Sequence, residues 1–145
     1  MKLSPEEARA RLAAHDHGVL STSYPEGGVH SIPVVFAVDD QDRIGMPIDR
    51  VKPKATMQLQ RRINLEVDPR GTLLVQHWDA EDWSRLWWAR AELELIPDAD
   101  DGLRAAMSKR LAARYEQYRD EPFERILVFR VVRFTGWEAS DFYRA

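Results

Sequence analysis

Apolar and polar positions follow two rhythms along this chain. From Trp87 the apolar residues Trp87, Ala89, Ala91, Leu93 and Leu95 alternate with Trp88, Arg90, Glu92 and Glu94, which predicts a strand over 86–96 with one core face and one wet or shared face. Residues 18–23 and 29–38 are apolar and β-rich, and they flank Tyr24-Pro25-Glu26-Gly27-Gly28, whose turn chemistry predicts a hairpin. Asp39-Asp40-Gln41-Asp42 is the next turn, leading to a strand over 43–48 in which Pro47 removes a ladder donor and so marks an edge or a break. A further strand is predicted over 72–78. Residues 126–134 are apolar on both faces, as a central strand requires. The helical rhythm occurs three times. Ser4, Pro5 and Glu7 form a capping box that opens a helix over 5–14. A second helix is predicted over 53–67, with Ala55, Leu59 and Ile63 as its buried stripe and Asp68-Pro69-Arg70-Gly71 as its stop. Leu103, Met107, Leu111, Tyr115 and Tyr118 supply the third stripe. Six or so strands, short turns and three helices point to a small barrel with helical decoration.

Composition narrows this picture. A chain of 145 residues with 44% hydrophobic content buries one sizeable core, so residues 1–145 are expected to form a single domain. The formal charge of −3 gives no global basic field, so no nucleic-acid partner is expected and positive charge must act locally. Without cysteine there are no disulfides, thiolate metal sites or cysteine nucleophiles. The N-terminus lacks the apolar stretch of a signal peptide, and no segment approaches the roughly 20 apolar residues of a membrane span, so a cytoplasmic protein with no membrane partner is expected.

Local positive charge is found where residues 48–64 pass from an apolar run into a helix. Pro53 suits the first helical turn, whose free N–H groups and dipole favour an anion, and Lys52 and Lys54 add charge there. A solvated helix start is the plainer reading of the two lysines. Among the five tryptophans, Trp78, Trp87 and Trp137 fit an aromatic cluster closing a barrel or an interface, whereas Trp83 in its polar loop and Trp88 are ligand candidates. His15 and His17 end a helix with no cysteine or third histidine nearby in sequence, so they read as charge complements to the helix C-terminus and no metal site is expected. His77 reads as a half-buried polar residue. There is no glycine-rich phosphate loop, nucleophile elbow or triad, and no catalytic residue is assigned.

Four segments bring a family into view: Val29-His30-Ser31-Ile32-Pro33-Val34, Asp49 with Lys52-Pro53-Lys54, Asn64 with Asp68-Pro69-Arg70, and Asp82-Trp83-Ser84-Arg85-Leu86-Trp87-Trp88-Ala89-Arg90. Over nearly its whole length the chain resembles the flavin and deazaflavin binders related to pyridoxamine 5'-phosphate oxidase, especially the actinobacterial branch of coenzyme F-420 dependent enzymes. The resemblance implies a mainly β (α+β) fold, a six- to seven-stranded antiparallel split β-barrel (the FMN-binding split barrel) with about three peripheral helices. It also implies a homodimer with cofactor sites at the subunit interface. His30, Ser31, Ile32, Pro33 and Val34 would then lie along the ring, Asp49, Lys52, Lys54 and Asn64 around the phosphate end, and Trp83 and Trp88 over the site, with Trp83 from the partner chain. The implied cofactor is coenzyme F-420, with FMN as the alternative. The chain departs from the pattern at Ala55, Met57, Gln58 and Gln60, where relatives often carry arginines, so a long anionic tail would be held less firmly. The expected activity is hydride transfer from reduced deazaflavin to a small organic acceptor. An FMN oxidoreductase, or a carrier binding F-420 or haem without turnover, are the other readings.

Overall fold

The computed structural model describes residues 1–49 and 56–139, with side chains at 1–48 and 60–139. Helix α1 covers Pro5–Ala14, and the strands β1 (Gly18–Ser23), β2 (Val29–Val34), β3 (Ala37–Val38) and β4 (Arg43–Asp49) follow. Next come α2 (Thr56–Val67), β5 (Arg70–His77), β6 (Trp87–Leu95), α3 (Asp101–Arg114) and the long β7 (Phe123–Glu138). All seven strands form one antiparallel sheet in the order β2-β1-β5-β6-β7-β4-β3. The single strand predicted over 29–38 is therefore two strands at opposite edges of the sheet. Between them the chain crosses at Val35 and Phe36, and Phe36 is fully buried with its N–H and C=O both bonded to the Tyr115 hydroxyl. The uninterrupted apolar run concealed this crossing, which makes the barrel a split one.

Leu20, Phe36, Ile44, Met46, Leu73, Ala89, Ala91, Leu93 and Phe129 fill the interior, and α1 closes it with Ala8 and Leu12. Ser4 caps α1 by accepting the Glu7 N–H at 3.2 Å, as the capping box predicts. Close approach decides how the helices sit. A Cβ at Gly136 would lie 2.9 Å from Leu3 Cδ1 and from the Trp88 carbonyl oxygen, and one at Gly45 would overlap Met107 of α3. Pro47 lies on β4 beyond the short β3, so among the described residues only β7 pairs with it there.

Two expectations about helices change. Ile63 of α2 is 47% exposed; among the described side chains of that helix Arg61, Asn64 and Leu65 are buried, while Ala55 and the Leu59 side chain lie outside the described residues. The cation at the C-terminus of α1 is Arg114 of α3, which donates to the carbonyls of Ala13 (2.6 Å) and His15. Burial, with His17 adding to it, pushes the His15 imidazole below its ordinary value, which disfavours the charge that a dipole role needs.

Candidate functional site

β2 is an edge strand, bonded to β1 on one side, so alternate N–H and C=O groups along its other edge have no strand partner among the described residues. Its side chains alternate: His30, Ile32 and Val34 are buried, whereas Val29, Ser31 and Pro33 face out. The five residues expected along a ring therefore cannot all offer side chains to one ligand. Ser31 Oγ pairs with Ser21 Oγ at 2.9 Å on the outer face. His30 is 9% exposed, its ring meets Tyr24 edge-on at 5.4 Å between centroids, and its Nδ1 has no hydrogen-bond partner among the described residues. A buried orphan of this kind costs on the order of 1–3 kcal/mol, which a bound acceptor or donor would recover.

Helix α2 lies against the same end of the barrel through polar contacts. Asn64, with no exposed surface, donates to Thr22 Oγ1 at 3.0 Å and accepts from Gln60 Nε2 at 2.8 Å. Arg61 is 4% exposed and donates to the Pro47 carbonyl at 2.9 Å. Both ends of the Asn64 amide are engaged within the protein, and these bonds tie α2 to β1. Asp49 ends β4, its side chain lying outside the described residues, as do Lys52 and Lys54 altogether.

At the other end of β1 is the loop between β5 and β6, which carries Trp83 on a single 3-10 turn capped by Asp82. Trp83 is 50% exposed and Trp78 61%, their rings 5.7 Å apart. Trp78 therefore pairs at the surface and does not close the barrel, while Trp87 packs against the core. Trp88 lies on the outer face beneath the Arg90 guanidinium, 5.1 Å from the ring centroid.

The outer face of β1, β5, β6 and β7 holds what sequence reasoning did not single out. Register aligns Ser31, Ser21, Thr72, Glu92 and Arg133 in one row, with Glu92 and Arg133 paired by two hydrogen bonds of 2.8 and 2.9 Å. Beside that row is a groove of about 500 Å³ lined by Ser23, Val29, Arg70, Thr72, Glu94 and Val132, among others. Asp68, held down to about 2 by the Arg70 side chain and N–H, also borders it. Arg90 Nε and Thr135 Oγ1, opposite one another in register, are buried without hydrogen-bond partners among the described residues. The alternation of β6 was the signal for this face; its composition alone did not reveal a groove.

The family model for pyridoxamine 5'-phosphate oxidase matches residues 4–138. The chain belongs to this family. Comparison with curated proteins finds no match. Among solved structures the fold is similar to an FMN-binding protein from Syntrophomonas wolfei, with a TM-score of 0.67 and 21% identity over 94% of this chain and 87% of that one. It is also similar to an FAD-binding protein from Mesorhizobium loti (TM-score 0.63, 17% identity, 97% and 96% covered). A third, a heme binding protein from Mycobacterium smegmatis, has a TM-score of 0.71 and 19% identity over 93% of this chain, which spans about half (54%) of that protein. These identities carry the split-barrel fold of the family and nothing finer. Among the described residues no helix is long and apolar enough to cross a membrane.

Proposed function

We propose that the protein is a flavin-type oxidoreductase of the pyridoxamine 5'-phosphate oxidase family that works as a homodimer and uses coenzyme F-420 to reduce a small organic acceptor. The observation that carries the reading is the open edge of β2 beside a buried His30 whose Nδ1 lacks a partner. Such an edge suits the hydrogen-bonding rim of a flat heterocycle, so the residues present fit the group. When bound, the cofactor ring supplies the hydride chemistry, and the protein supplies orientation and a dry site. β2 binds and orients the ring through its backbone, and His30 fixes the end nearest Tyr24. Lys52 and Lys54 neutralise the anionic tail, in a role that rests on their sequence positions. The second copy explains the outer face: Arg90 Nε and Thr135 Oγ1 need partners, and Val29, Val132, Trp78 and Trp83 expose apolar surface. Trp83 of one copy then covers the site of the other and excludes water.

FMN is the second reading, favoured by the likeness to an FMN-binding protein and by the absence of further arginines at Ala55, Met57, Gln58 and Gln60. Titration of the purified protein with F-420, FMN and haem, repeated for Lys54→Ala, separates the readings. Tight binding of F-420 that weakens in the variant supports the first, the same pattern with FMN supports the second, and haem binding alone overturns both. Light scattering that finds a monomer overturns the shared site.

A further inference from the structure

The chain leaves α1 through His15, Asp16 and His17 before entering β1 at Gly18, at the end of β1 opposite His30. His15 caps α1 with extended backbone (φ −82°, ψ 142°), so the three side chains project from a linker and not from a helix face. One donor atom from each lies within 4.8 Å of the other two, and His17 Nδ1 meets Asp16 Oδ1 at 2.6 Å. Nitrogen and oxygen ligands lie about 2.0–2.2 Å from a zinc-like ion, hence no more than about 4.4 Å from each other. Modest rotation of exposed side chains closes that gap without moving the backbone.

Tertiary structure brings a third imidazole, outside that three-residue group, to the same tryptophan as His15. Because Val19 pairs with Leu74, the residues that precede β1 run beside the end of β5, where His77 lies. His77 stacks on Trp87 (6.1 Å, 17° between planes), and the same indole meets His15 at 5.6 Å and 82°. Trp87 thus gives both rings an apolar backing, and Arg114 already serves the α1 carbonyls, so neither duty falls to these histidines. Two imidazoles and a carboxylate, with a third imidazole adjacent, match the preferences of zinc, nickel or copper and not those of calcium or magnesium.

We propose that His15, Asp16 and His17 bind a borderline divalent cation, with His77 as the neighbouring imidazole available to the same ion. His17 and Asp16 are largely exposed, which leaves coordination positions to water. The site is separate from the β2 edge and does not depend on the cofactor reading.

The test uses the full chain without an affinity tag. Zinc titration by chelator competition should give one ion per chain with a dissociation constant below about 100 μM, and His17→Ala and His15→Ala should each weaken it at least about ten-fold. Copper(II) electron paramagnetic resonance reads the donors directly: two coupled nitrogens assign His15 and His17, and three, falling to two in His77→Ala, add His77. Circular dichroism of His17→Ala, an exposed site, checks that the fold is kept. Millimolar binding, or micromolar binding that both alanine variants leave intact, overturns the proposal.

Discussion

Two helices cover this barrel by different physics. Helix α1 closes one end by shape: Ala8 and Leu12 are fully buried, and Gly136 lets β7 pass close to Leu3 and Ala8. Helix α2 meets the barrel through Asn64, Arg61, Thr22 and the Pro47 carbonyl, with Leu65 its buried apolar residue. Apolar packing leaves no group free for chemistry, whereas a polar contact keeps donors and acceptors at the site's border. The candidate cofactor edge adjoins the second helix.

The largest break in that comparison is expected on the apolar side. Leu12→Ala removes a fully buried side chain and should cost about 2–5 kcal/mol in urea unfolding. Gly136→Ala should cost about 1–3 kcal/mol, because its Cβ meets a backbone carbonyl that cannot easily retreat. On the polar side, Asn64→Ala leaves the Thr22 hydroxyl and Gln60 amide without their partner, at about 1–2 kcal/mol. If α2 is held as described, Asn64→Leu combined with Thr22→Val costs less than the sum of the two single changes in the same assay.

A pH scan sharpens the contrast further. Burial alone would raise the Asp39 carboxyl, but the Arg43 N–H and guanidinium and the Gln41 N–H outweigh it, holding the group below its ordinary 3.8. A depressed folded value means that the unfolded chain binds the proton more readily. The contribution is therefore complete above the ordinary value and is lost as pH falls through the folded one. Asp39→Asn should lower Tm at neutral pH, and the difference from the parent should shrink once the pH is well below 3.8. The smallest effect belongs to the wet outer face, where Arg133→Ala should leave the urea unfolding midpoint nearly unchanged, since an exposed ion pair contributes little. Its larger signature, if that face joins two copies, is a dimer dissociating at higher protein concentration in sedimentation.

Elements with an uninterrupted rhythm were legible in the chain: α1 and β1 fall on their predicted bounds, and the core face of β6 is the predicted one. Three features were not. The crossing at Val35 and Phe36 sits inside an apolar run, and nothing local separates one buried strand from two. Among the described side chains of α2, Arg61 and Asn64 are buried beside Leu65 while Ile63 is exposed, so apolar spacing did not mark its inner face. Trp83 stood out in its polar loop, but its pairing with Trp78 at the surface was not legible there.

The sequence by itself determined the strand and helix rhythm, the absence of thiol chemistry and the resemblance to a family that the comparison with its model then showed. Those properties are written in nearest neighbours and periodicity. Only the tertiary structure decided which residues meet: Asn64 with Thr22, Arg114 with the end of α1, and His77 with Trp87 beside His15. Such meetings depend on strand order and register, which long-range pairing sets and local sequence does not encode.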